Sequence, residues 1–244
     1  MLYNENEFTK ENLDLYLKEV SKIYKKKSRN MPAELILIGG AAVLANYGFR
    51  DMTTVIDAII NASSVMKEAI LEVADKYGLT DDWLNFDFRR TDSYSYKLIE
   101  HSKYYKTFSN IVQIRLIEAE FLIAMKVMAG RDYKNDRSDI VGIIREERKR
   151  GNNITFEMVD YAITELYGGW NNVSDDVILL LKNTLNSDNI DQLFDDTRST
   201  EKIIRAKKLE EWQATSVKEE NGINYYADSQ DIIRIINDRI VNQS

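Results

Sequence analysis

Cysteine is absent from this sequence, which excludes a disulfide framework, a thiol nucleophile and a zinc–thiolate centre. Proline occurs once, at Pro32, so only one break in regular structure is written into the chain by a fixed φ. Histidine also occurs once: His101 stands beside Glu100 and Lys103, with no partner that would make it a general base. Apolar residues never run to the ~20 needed to span a bilayer. The start, MLYNENEFTKENL, lacks the apolar centre of a secretory signal, so a cytoplasmic protein without membrane contact is expected. Positive charge is in deficit. With a net charge of -7, bulk binding to a nucleic-acid backbone is not expected, although local basic patches remain available.

What is present is the composition of a folded protein, 44% hydrophobic and 30% charged over 244 residues. That length suits one large domain or a core with a smaller appendage. The stretch from Leu35 to Ile60 organises the remainder. Leu35-Ile36-Leu37-Ile38 is short, apolar and branched, as a buried strand requires. Gly39-Gly40 ends it and a small-residue helix begins at Ala41. Two glycines at such a junction let backbone N–H groups approach an anion with no side chain between them. Thr53 to Ile60 reads as the next strand, with Asp57 among apolar neighbours, where a carboxylate is costly unless paired or bound to a cation.

In this stretch the sequence resembles the nucleotidyltransferase-like proteins of the DNA polymerase beta superfamily, and among them small bacterial proteins related to abortive-infection toxins. Their pattern is an apolar strand, Gly-Gly-x-Ala, a helix, Arg-x-x-Thr and then Asp-x-Asp on a second strand. Here Gly39, Gly40, Arg50, Thr53 and Asp57 stand in that order and spacing, but the first carboxylate would fall at position 55, which is valine. A second segment extends the resemblance: Lys126 near a helix end, then Arg131, then Asp136 and Asp139.

The resemblance implies an α+β core of mixed sheet and flanking helices over residues 1–150, followed by a helical region over 151–244. It implies Gly39, Gly40, Arg50, Thr53 and Arg131 as nucleotide-binding residues, and Asp57, Lys126, Asp136 and Asp139 as catalytic ones, with Asp57 also a metal ligand. The expected ligands are a nucleoside triphosphate and Mg2+ or Mn2+, held weakly or not at all because of Val55. The implied activity moves a nucleoside monophosphate to an unknown acceptor, RNA or protein, as a toxin with an antitoxin partner would. The alternative is an inactive relative that binds nucleotide or protein. A third carboxylate is missing from the strand Ile111 to Leu116, where Gln113 and Arg115 stand; Glu118, Glu120 and Asp87 are the candidates to compensate.

Elsewhere the reading is mostly helical. Helices are expected over 10–27, from Val65 to Gly78, over Ala119–Ala129 and from Ser138 to Arg148, the last with Asp136 as N-cap acceptor. Thr155, Ser174, Thr200 and Ser229 each stand where a helix would start, and Gly151-Asn152-Asn153 marks a boundary. Asp87 to Ser109, rich in tyrosine, reads as edge strands and loop. The run Lys25-Lys26-Lys27-Ser28-Arg29 fits the negative end of a helix dipole, or else a basic lip near nucleotide phosphates.

Overall fold

The computed structural model describes residues 7–85, 91 and 93–219, with side chains as far as residue 211. The first helix, α1 (Lys10–Lys27), is opened by a capping box in which Thr9 accepts from Asn12 N–H and the Asn12 side chain returns the contact. Strand β1 (Ala33–Leu37) follows Pro32, and helix α2 (Gly39–Asn46) begins at the glycine pair. Then come β2 (Ile56–Asn61), α3 (Val65–Tyr77) and β3 (Leu84–Asn85). A 3-10 turn at Tyr96–Ile99 leads to the hairpin β4 (Ser102–Phe108) and β5 (Val112–Ile117). Five helices complete the described chain: α4 (Ala119–Ala129), α5 (Asp136–Lys149), α6 (Phe156–Tyr167), α7 (Asp175–Leu185) and α8 (Ile190–Glu219).

The strands form one mixed sheet in the order β3-β2-β1-β5-β4. Strand β1 is central, antiparallel to β2 and parallel to β5, and it is covered on both faces. Alternation along its run explains why four consecutive residues had to be apolar. Leu35 and Leu37 join the cluster under α1 and α3, with Leu17, Ile70 and Trp83; Ile36 and Ile38 join the cluster under α4 to α8. The second cluster runs across position 151, placing Ile140 and Ile144 with Val159, Ile163, Leu181 and Phe194.

The mixed α/β architecture is as expected, with four differences in detail. Strand β2 starts at Ile56, so Thr53 and Val55 lie outside it. Thr53 instead exchanges both backbone hydrogen bonds with Phe8, and its hydroxyl donates to Val55 O at 3.1 Å, which uses the groups a strand would have needed. Thr200 opens no helix; it sits inside α8, where its hydroxyl donates to Asp196 O one turn back, a bond that hides a cap-forming residue in a helix interior. Asp136 caps nothing, because its carboxylate is engaged by two cations and Asn135 takes the cap position. The basic end of α1 is not at the glycine pair: Lys25 donates to Ser109 O beside the start of β5, at the opposite end of the sheet. The segment from Ser229 and the acid Asp87 lie outside the described residues.

Candidate functional site

The two glycines after β1 do different work. Gly39 has φ +53, a left-handed conformation that ordinary side chains adopt only at a cost. Gly40 is held by space: a Cβ there would come within 2.9 Å of Thr53 Oγ1 and 3.0 Å of Arg50 Nη2. Ile38, at the cap position of α2, is extended and offers no side-chain acceptor to the first turn of the helix. Thr53 and Arg50 close the other side. Arg50 donates through Nε to Met52 O and through Nη1 to Asp139 Oδ2, at 3.0 and 2.6 Å.

Behind Arg50 lies a sealed ionic cluster. Lys126, 7% exposed, donates to Asp136 Oδ1 and pairs with Asp139 Oδ2, both at 2.8 Å. Arg131 Nε adds a bond to Asp136 Oδ2 at 2.7 Å. Burial works to lower the Lys126 pKa, but the two carboxylates outweigh it and hold the ammonium above its ordinary value. Burial likewise works to raise Asp136, and Lys126 with Arg131 overrides it, leaving that carboxyl well below the ordinary range. A charge triad this deeply buried survives only because every member is paired.

In front of Gly39 the charges are less well matched. A Cβ on Gly39 would stand 3.6 Å from Asp57 Oδ2, and Asp57 Oδ1 accepts from Asn85 Nδ2 at 2.9 Å. Burial raises the Asp57 pKa, against the Asn85 hydrogen bond and the fields of Lys134, Lys126 and Arg131. Lys134 forms no hydrogen bond or ion pair among the described residues, and burial together with repulsion from Arg131 lowers its pKa. Among the described residues, the four cations Arg50, Lys126, Arg131 and Lys134 thus face three carboxylates, Asp57, Asp136 and Asp139.

The loop that carries Arg131 and Lys134 is gripped by α8. Arg205 donates to Tyr133 O and to Asn135 Oδ1, at 3.0 and 2.5 Å, and Lys208 pairs with Asp132 at 2.7 Å. Glu201, also on α8 and 1% exposed, accepts from the backbone N–H groups of Arg137 and Ser138 at the start of α5. Its second oxygen is buried without a partner among the described residues, and burial pushes its pKa up to about 7, with Asp139 adding to the rise and those two N–H groups opposing it. The start of α5, with Asp136 and Asp139, is therefore fixed by a residue 62 positions beyond Asp139.

All nine residues singled out from the sequence lie in these two adjoining groups. Three further residues were missed: Asn85, Lys134 and Glu201. Asn85 follows Trp83-Leu84, and its role rests on the pairing of β3 with β2. Lys134 and Glu201 carry no periodic or motif signal at all.

Among the described residues the donor set does not fit a resident divalent ion. Asp57 is a lone carboxylate facing three cations, Asp136 and Asp139 are consumed by ion pairs, and no group of three acidic or histidine side chains gathers among the described residues. Arg115 is turned to Ser102 and Glu34, and it does not join the site. No family model, curated protein or solved structure matches the chain.

Proposed function

We propose that this chain binds the phosphates of a nucleotide at the N-terminus of α2, and that it does so as a nucleotidyltransferase-like protein without metal-dependent transfer. The observation that carries the reading is Lys134, a partly buried ammonium with no hydrogen bond or ion pair among the described residues, beside Arg131 and the uncapped glycine junction. A desolvated cation without a partner is costly, and a phosphate oxygen would repay that cost. The positive end of α2 and the open approach at Gly39 add backbone N–H donors. Lys126 has a different part. It is sealed under Asp136 and Asp139, so it positions those carboxylates and, through Asp139, Arg50; the phosphates go to Arg131, Lys134 and the glycines.

Thermal denaturation with each of the four ribonucleoside triphosphates, without added metal, tests this. A nucleotide at 100 times its dissociation constant adds about 2.7 kcal/mol, or about 5–10 °C for a chain of this size. Lys134→Gln should lose that shift. No shift with any of the four nucleotides overturns the reading.

Transfer of a nucleoside monophosphate to RNA or protein, with an antitoxin to restrain it, is the second reading. It is favoured by one observation, that the residues of both resembling segments meet around Asp57, whose raised pKa would suit proton uptake from an attacking hydroxyl. Covalent labelling of RNA or of the protein itself from a labelled triphosphate would support transfer over binding alone.

A further inference from the structure

At the opposite end of the sheet from Gly39, the end of α1 and the β4–β5 hairpin enclose an open cavity of about 740 Å³. Lys22, Lys25, Lys26 and Arg29 line it together with Ser109 and Asn110, and no carboxylate does. In a chain of net charge -7 this local excess runs against the average. Two turns set the shape. Arg29 and Asn30 leave α1 with φ of 56° and 67°, and Asn30 N–H donates back to Lys25 O at 3.1 Å. Ser109 and Asn110 turn the hairpin with φ of 54° and 62°, closed by Ile111 N–H donating to Phe108 O. Lys25 ties one turn to the other through Ser109 O at 3.1 Å.

The basic residues here differ in how they are used. Lys27 turns away and pairs with Glu68 and Glu72, as an ordinary surface cation would. Lys22 is held by Glu19. Lys26 and Arg29 are exposed and have no carboxylate partner among the described residues. A helix C-terminus attracts cations through a partial charge of about half a unit. Lys25, Lys26 and Arg29, with no carboxylate partner among the described residues, exceed that several-fold, and Arg29 occupies a left-handed position where glycine would be the unstrained choice.

We infer that this cavity is a second anion site, separate from the glycine pair, and that its ligand is a chain of phosphates. Lys22, Lys25 and Lys26 stand on the last two turns of α1, and Arg29 follows in the turn just beyond its end. Cations spread around one cavity suit a ligand that carries several anionic groups in succession rather than one. The hydroxyl of Ser109 and the amide of Asn110 supply neutral hydrogen-bonding groups beside the cations. The phosphates come either from a nucleic-acid backbone or from free polyphosphate, and the two sources are separated by competition.

The test is fluorescence anisotropy of a short labelled RNA strand with the full chain at low salt, repeated with inorganic tripolyphosphate as competitor. The parent should bind with affinity that falls steeply as salt rises. Lys26→Gln with Arg29→Gln, two exposed changes that leave melting unaltered, should weaken binding by about tenfold or more and flatten the logarithmic salt slope by about 2. Competition by tripolyphosphate assigns the site to free polyphosphate as well; failure to compete assigns it to the strand. Absence of RNA and tripolyphosphate binding in the parent overturns the inference. So does binding that survives the double variant but is lost in Lys134→Gln, which would place the anion at the glycine pair.

Discussion

The two halves of the candidate site hold the same kinds of charge and use them in opposite ways. Behind Arg50, Lys126 and its two aspartates are buried and mutually satisfied. In front of Gly39, Lys134 is partly buried and, among the described residues, unpaired, and the Asp57 carboxylate keeps Asn85 as its one hydrogen-bond partner among them. The sealed half has nothing left to offer a ligand; its work is to fix the start of α5 and the Arg50 guanidinium. The open half carries the unmet demand. Which of these motif-spaced groups remain to be satisfied is decided by which of them are already neutralised.

The largest expected effect lies in the sealed half. Lys126→Met would leave Asp136 and Asp139 buried with less compensation, and breaking such a pair costs about 3–5 kcal/mol. Urea denaturation should show that loss even with no nucleotide present; a loss below about 1 kcal/mol would mean that the cluster is open to water. Next comes the carboxyl that anchors α8 to α5. Glu201 titrates near its ordinary value when unfolded and at about 7 when folded, so the native state holds the extra proton. Its contribution is present at low pH and is lost as pH rises from about 4.5 through about 7, on the order of 2–3 kcal/mol. Arg137, Asp139 and Asp196 face the same pocket or feel the same charge, and they stay in place in Glu201→Gln. That variant keeps the acceptor for the two N–H groups, and its stability should be flatter over this window. An unchanged pH slope would show that water reaches the carboxylate.

Smaller effects separate the two glycines. Gly40→Ala would push a methyl into Thr53 and Arg50, both pinned by their own hydrogen bonds, at about 1–3 kcal/mol. Gly39→Ala meets only an ordinary contact and should cost about 1–2 kcal/mol through its backbone alone. Melting of both variants checks the assignment; the reverse order would mean that Arg50 yields.

Much of the fold was legible because local signals agreed with one another. Apolar periodicity marks α1, α3 and α6, and Gly78 and Thr155 stand at ends of α3 and α6 that the structure shows. The four-residue apolar run announced a strand covered on both faces. What misled was local chemistry spent on distant partners. Thr53 looked like strand and bonds Phe8; Asp136 looked like a cap and holds Lys126; Thr200 looked like a helix start and bonds within α8. The site residues with motif spacing could be named in advance. Asn85, Lys134 and Glu201 could not, since each acquires its place only when β3, the loop after α4 and α8 are folded against one another.

The division into a sealed and an open half is tested most directly by calorimetric titration of a nucleoside triphosphate into the parent, Lys134→Gln and Arg131→Gln, without divalent metal. The expected result is binding in the parent, a loss of about 1.5–3 kcal/mol in Lys134→Gln, as for a hydrogen bond to a charged group, and unchanged stability of that variant in urea. Arg131→Gln should lose affinity and also stability, because it serves both halves through Asp136. Equal affinity in the parent and Lys134→Gln would contradict the assignment of the unpaired lysine to phosphate.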